Sequence, residues 1–230
     1  MLPLVLVLLD GLGDRAHGVL GGRTAGEAAS TPNLDALAAR GSCGLLFAVG
    51  PGRAPSSEVA HWSLLGYRPQ EFPGRAVFEA LGRGIALDAT EVYAYAALRP
   101  AERRSDGWWL TGRPDPVRDG AEAARLVERC DRIEADGLSF SLQHLWRGEA
   151  LLRISGGAHE GVTDTDAFFR DRYPVLRPRP LVPEATRTAR ACERWSHEVL
   201  RRLQGERFNV ITLKWFGRPR SVPSFRARHG

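Results

Sequence analysis

The stretch "PLVLVLLDGLGDR", residues 3–15, sets the fold class. Residues 3–9 are a continuous apolar run that ends at Asp10. A strand of a half-buried sheet would alternate apolar and polar; an unbroken run is the pattern of a strand covered on both faces, as in a parallel α/β sheet. The run is short, lacks a basic leader and has no small-residue cleavage site, so it reads as a buried strand and not as an export signal. "DG" then turns the chain. Ligands of open α/β sheets bind at the carboxyl ends of strands. Asp10 is therefore placed either to hold a cation or simply to form the turn.

Working outward, "STPNLDALAARG" reads as a helix, with Thr31 to cap it, Pro32 at its first position and Gly41 to stop it. "CGLLFAVGPG", residues 43–52, reads as a second strand closed by a Gly-Pro-Gly turn. In "RAPSSEVAHWSLLGYRP", residues 53–69, a helix follows Ser57 and ends near Gly66. The first ~65 residues are thus strand–helix–strand–helix, an α/β pattern. From about Glu91 the character changes. "VYAYAAL" and "GWWLTG" read as an antiparallel pair, and "DGAEAARLVERC" as a helix capped by Asp119. "LSFSLQHLWRGEALLRISG" reads as two strands, residues 183–205 as a long helix, and "FNVITLKWFG" as a strand. This second part is a smaller α+β domain.

Composition bounds the function classes. The chain has 230 residues, 43% hydrophobic and 26% charged, within the ordinary globular range. No apolar run is long enough to cross a membrane. Cys43, Cys130 and Cys192 are too widely spaced for a disulfide framework or a metal knuckle, which favours a reducing, cytoplasmic setting. The net charge is +5, and Lys214 is the only lysine among 32 basic residues. Such arginine richness fits a GC-rich genome, and no basic run is interleaved with aromatics as a stacking platform needs. Nucleic acid is not the expected partner.

Ser57 stands between a strand–turn and a helix. A hydroxyl there meets the helix's free N–H groups and the positive end of its dipole, which would stabilise an alkoxide or the oxygens of an attached phosphate. The plain alternative is an N-cap serine, worth about 1 kcal/mol. The capping-box partner is missing, since Ala60 and Val59 stand three residues after Ser57 and Ser56. His61 lies one helical turn after Ser57 and can face the same side. Asp10 and Ser57, at successive strand ends, would lie side by side on one sheet edge.

Taken together these residues resemble the archaeal-type, 2,3-bisphosphoglycerate-independent phosphoglycerate mutases of the alkaline phosphatase superfamily. "VLLDGLGDR", "TPNLDALAARGSCG", "SSEVAHWSLLGYRP" and "GRAVFEALGRGIAL" look like successive blocks of that family. "GVTDTDAFF" and "LKWFGRPRSVPSF" look like later ones. The resemblance implies the first part of an alkaline-phosphatase-like α/β core over residues 1–88, an inserted substrate-binding α+β domain over 89–215, and a return segment over 216–230. It implies a phosphoserine intermediate on Ser57, Asp10 and Ser57 as metal ligands, and two divalent ions, manganese or else zinc or magnesium. It implies a small phosphorylated acid as substrate, touched by His61. Arg147, Arg153, Arg218 and Arg220 are the candidate arginines for its carboxylate and phosphate, with Asp164 and Asp166 to orient them.

Two departures matter. The insert has drifted at its substrate side: Tyr95 and Ala97 stand where the family tends to an Arg-Cys-Asn run, and Ala167 where it tends to proline. A related phosphorylated or phosphonate-bearing acid is thus open as substrate. The family's further Asp and His ligands do not occur before Gly230, so most metal ligands are expected outside this chain, in a C-terminal half or a partner chain. A phosphomonoester or phosphonate hydrolase of the same superfamily, and a degenerate non-catalytic paralogue, are the rival readings.

Overall fold

The computed structural model describes residues 5–52, 56–167 and 173–225. The chain divides into two compact units, Met1–Gln70 and Glu71–Gly230. Residues 75–82 pack within the second unit.

In the first unit the described elements are helical: α1 (Ala25–Ala28), α2 (Pro32–Arg40) and α3 (Ser57–Leu64). Thr24 and Glu27 form a reciprocal capping box at α1, which satisfies two backbone N–H groups left free at the helix start. Pro32 opens α2 and Gly41 closes it, as the sequence predicts, but the Thr31 hydroxyl goes to Asp35 and does not cap. The two expected strands are corrected. Residues 5–9 and 43–52 form no strand, and Val5 and Leu45 expose 77% and 84% of their surface. An apolar strand of this kind needs neighbours on both edges and cover on both faces. The first strand among the described residues begins only at Val92. Residues 3 and 4 of the expected first strand, residues 53–55 before α3 and residues 226–230 of the expected return segment lie outside the described residues.

The second unit is an antiparallel α+β structure. Helix α4 (Arg75–Gly82) is followed by strands β1 (Val92–Arg99), β2 (Ala101–Arg104) and β3 (Gly107–Leu110), then helix α5 (Gly120–Arg129). Strands β4 (Ile133–Ala135), β5 (Leu138–Trp146) and β6 (Glu149–Ser155) follow, then helix α6 (Thr186–Arg202) and strand β7 (Val210–Gly217). The main sheet runs β4-β5-β6-β1-β7, and β2 and β3 form a separate ribbon. The expected pairing of residues 92–98 with 107–112 is thereby corrected: Gly107–Leu110 pairs with Ala101–Arg104 across a tight turn, and β1 pairs with β6 and β7. The "DG" at Asp106–Gly107 is the local hairpin signal, and short loops close at least entropic cost.

Strand β1 is buried on both faces. Its even-numbered residues Val92, Ala94, Ala96 and Leu98 face α5 and α6, whose apolar stripes meet them around Trp195 and Phe140. Its odd-numbered residues Tyr93 and Tyr95 pack with Leu151 against Ala76 and Ala80 of α4. The sheet is therefore a middle layer between helices. Asp119 does not cap α5 with its side chain; its carboxylate accepts from the Asp115 N–H and pairs with Arg118 and Arg207. Where α4 begins and β7 ends, Gly74 and Gly217 meet backbone to backbone. A Cβ on Gly74 would lie 2.6 Å from Gly217 Cα, and Gly74 also holds φ +99°, so glycine is required there on both counts.

Candidate active site

Gly11, at φ +81°, takes the sharp turn after Asp10, which a residue with a Cβ would resist. The turn leaves the Asp10 carboxylate facing the start of α3. There the Ser57 hydroxyl donates to Asp10 Oδ2 at 3.3 Å, across 47 residues of sequence. The juxtaposition expected from the sequence is present, without the sheet edge that was expected to carry it. The helix register corrects the capping assignment. Ser56 occupies the N-cap and makes no side-chain cap bond, and Ser57 is the first helical residue. The Ser57 hydroxyl is thus directed to Asp10. Both side chains are solvent-exposed, and the first-turn N–H groups of α3 lie beside Ser57. His61 follows one turn later and is half-buried.

The candidate residues of the second unit fall into separate groups. Arg218 and Arg220 converge on the Glu160 carboxylate, at 3.5 and 2.7 Å, and Arg218 also donates to the Ala158 carbonyl. Burial by itself would raise the Glu160 pKa, but its own backbone N–H and the Arg220 guanidinium outweigh it and leave the carboxyl below its usual value. Arg153 sits on β6 and pairs with Glu91 at 3.5 Å. Arg147 lies at the β5–β6 turn with φ +52°, its guanidinium stacked 3.9 Å from the centre of the Trp146 ring.

Asp164 and Asp166 attach to β7. Asp166 is buried and accepts from the Thr212 hydroxyl at 3.1 Å and from the Lys214 ammonium at 3.3 Å. Asp164 Oδ1 accepts from the Trp215 N–H at 2.8 Å. The β1–β7 register shifts between Tyr93 and Tyr95, and Trp215 adopts φ +56°, an uncommon conformation for a bulky residue. Its ring is flanked by Arg75 at 4.2 Å and Lys214 at 4.6 Å, and it meets Tyr95 at a centroid distance of 5.3 Å. Burial pushes the Lys214 ammonium below its ordinary pKa, partly countered by Asp166, and pushes the Tyr95 phenol up to about 12.

This knot of two cations, two aromatics and two carboxylates was not among the expected site residues beyond Asp164 and Asp166. The available signal was that the single lysine of an arginine-rich chain falls inside an apolar strand. A lysine buried there needs a carboxylate partner.

Among the described residues, no group of three or more His, Cys, Asp and Glu side chains is placed to hold a metal ion. No helix among them is long and apolar enough to cross a membrane.

Comparison with known proteins gives consistent results. The family model described as 2,3-bisphosphoglycerate-independent phosphoglycerate mutase matches residues 38–209. The 2,3-bisphosphoglycerate-independent phosphoglycerate mutase 2 of Methanocaldococcus jannaschii is 32% identical over 250 residues, covering 98% of this chain and 58% of its own length. Among solved structures, the cofactor-independent phosphoglycerate mutase from Thermoplasma acidophilum aligns with a TM-score of 0.55 at 28% identity, over 96% of this chain and 60% of that one. The PH0037 protein from Pyrococcus horikoshii shares the fold, with a TM-score of 0.61 at 22% identity over 93% of this chain and 51% of that one. The chain spans about three-fifths of the length of the curated relatives it matches.

Proposed function

The chain belongs to the 2,3-bisphosphoglycerate-independent phosphoglycerate mutase family, and from that premise we propose that it carries the phosphoryl-accepting part of a mutase. Residues 1–70 are then the opening of an alkaline-phosphatase-like core. Ser57 takes the phosphoryl group from one hydroxyl of a small phosphorylated acid and returns it to the neighbouring one, as in the exchange of 2- and 3-phosphoglycerate. The observation that carries this reading is the Ser57 hydroxyl at the N-terminal turn of α3, 3.3 Å from the Asp10 carboxylate.

As the bond from phosphorus to the substrate oxygen breaks, a bond from phosphorus to Ser57 Oγ forms. The proton leaving Oγ has the Asp10 carboxylate as its nearest acceptor and goes on to the substrate oxygen that the phosphoryl group leaves. Reversal onto the adjacent hydroxyl completes the isomerisation. The first-turn N–H groups of α3 offer the phosphoryl oxygens partial positive charge, roughly half an elementary charge in total. That does not balance a phosphate beside the Asp10 carboxylate, so further cations are required. Divalent metal ions would supply the remaining charge neutralisation and activate the serine. Asp10 and Ser57 give two oxygen ligands where four or more are needed, so the described residues do not complete such a site. For the substrate's carboxylate and phosphate we assign Arg218 and Arg220, whose forks already meet on one carboxylate, with Arg147 and Arg153 as further candidates. His61 would touch the phosphate from α3.

The test uses the protein isolated from its source cells, with Mn²⁺ and 3-phosphoglycerate. Acid quenching is expected to trap one phosphoryl group on the Ser57 peptide, and phosphorus NMR to show 2-phosphoglycerate. Ser57→Ala removes both. Inorganic phosphate without the isomer replaces the mutase with a hydrolase. Binding of the phospho-acid that survives both Ser57→Ala and chelation replaces it with a non-catalytic binding protein.

A further inference from the structure

The second unit holds a hollow lined by none of the residues assigned to the phospho-acid. The ribbon of β2 and β3 lies against residues 173–175: the Val175 N–H donates to the Trp108 carbonyl at 2.8 Å, and the Leu110 N–H to the Tyr173 carbonyl at 2.7 Å. Helix α6 joins the same segment through Glu193, whose two carboxylate oxygens take Arg177 Nε at 2.7 Å and Nη2 at 2.9 Å. Where ribbon, segment and helix meet, they leave a cavity of about 190 Å³ that opens to solvent. Gly107 contributes no side chain to it, and a Cβ placed there would meet nothing within 4 Å. Trp108, Val175 and Leu200 line the cavity with half-buried apolar surface. Arg177 and His197, both exposed, stand with Glu193 at its rim.

We propose that this hollow is a binding site for a free α-amino acid with an aromatic side chain. Size selects the ring. A cavity of about 150 Å³ takes one benzene molecule, so this one holds a phenyl ring and its methylene. The ring would pack against the Trp108 indole and displace water from Val175 and Leu200. Charge selects the head group. An α-amino acid carries an ammonium and a carboxylate on one carbon, and Glu193 and Arg177 are the complementary pair, already side by side. The fork to Glu193 uses Nε and Nη2 of Arg177, so Nη1 can still donate to a carboxylate, with the His197 ring beside it. The ammonium goes to Glu193. An exposed ion pair adds little stability, so sharing it with a zwitterion costs the fold little. A ligand with only a carboxylate is repelled by Glu193, and one with only an ammonium by Arg177. A small phospho-acid lacks the ring and brings surplus negative charge to Glu193. The site rests on no part of the phosphoryl-transfer reading.

The experiment labels the whole chain with 5-fluorotryptophan and titrates it with L-phenylalanine by fluorine NMR. The Trp108 line, assigned by its loss in Trp108→Phe, is expected to shift saturably, while that of Trp195, sealed in the core, stays in place. 3-Phenylpropanoate and phenethylamine each lack one of the two charges and should bind about tenfold more weakly or worse. That comparison needs no variant. Glu193→Gln and Arg177→Gln should each weaken L-phenylalanine by about tenfold or more. Leu200→Trp fills the hollow and should abolish the shift. Hydrogen exchange in β1 and β7 reports whether the second unit remains folded in each variant. Absence of a saturable Trp108 shift in the parent chain overturns the proposal. So do equal affinities for the three ligands, and so does a shift that survives Leu200→Trp.

Discussion

The two units spend similar apolar compositions in opposite ways. In the second, Val92–Leu98 of β1 is closed in by helices on both faces, and Trp195, Phe140 and Leu152 are sealed from water. In the first, an equally apolar run at residues 5–9 stands in solvent. The difference is one of connectivity. In the second unit local turns join β4, β5 and β6, and the central β1 has both of its antiparallel partners, β6 and β7, later in the same unit. A parallel strand depends on partners a crossover or more away. The first unit nevertheless holds the Ser57–Asp10 pair, and the second holds a buried ionic knot with its own stability.

The largest expected effect separates the units by function. Ser57→Ala should lower phosphoryl transfer by on the order of 10⁴-fold or more, while urea unfolding of the second unit moves by less than about 0.5 kcal/mol. A matching fall in the stability of the second unit would erase the distinction. With only Asp10 and Ser57 as oxygen ligands among the described residues, the 230-residue chain alone with Mn²⁺ should show little or no mutase turnover in a steady-state assay.

Trp195→Ala comes next. It empties the space between α6 and the sheet and should cost the second unit about 3–5 kcal/mol in denaturant melts. Lys214→Met should cost about 3–5 kcal/mol by stranding the buried Asp166 carboxylate. Lys214→Met combined with Asp166→Asn should recover most of that loss. If the double variant is as unstable as the single, the knot is held by something other than the ion pair.

The smallest effect is on pH dependence. Hydrogen bonds and charge from Arg201 and Arg202 lower the Glu198 carboxyl from 4.5 to about 2. The unfolded chain therefore binds the proton more tightly, and the second unit should lose stability as pH falls from about 4.5 to about 2. At the alkaline end, burial raises the Tyr95 phenol from 10.0 to about 12, so stability is lost as pH rises through that interval. Melts of Glu198→Gln and Tyr95→Phe, compared with the parent across both ranges, test each sign. An unchanged acid limb in Glu198→Gln would remove the arginine pair as its cause.

Much of this was legible in the residues. Period and punctuation gave α2, α3, α5, α6 and β7, because Pro32, Gly41 and Gly205 act within a few residues of themselves. The Asp10–Ser57 contact was legible because Asp10 stands between an apolar run and a glycine turn and Ser57 opens a helix, and such junctions gather ligands. Part of what was misread depended on partners distant in sequence, and part on weak local patterning. Residues 5–9 have a strand's composition, but composition cannot provide a neighbour. The ribbon of β2 and β3 was missed because "AERR" has no apolar alternation, and its pairing rests on the Asp106–Gly107 turn. The bulge at Trp215 leaves no periodic trace, and the one signal for the Lys214–Asp166 pair it accompanies was a lone lysine inside an apolar strand.

The meeting of Gly74 with Gly217 has a consequence for rearranging the gene. The stretch between them enters and leaves through a single point, its two ends touching. Such a stretch behaves as a cassette: it can be lifted out and set into another host at one surface turn. It can also be permuted, with the old ends joined by a short linker and new ones opened at the exposed Trp146–Arg147 turn.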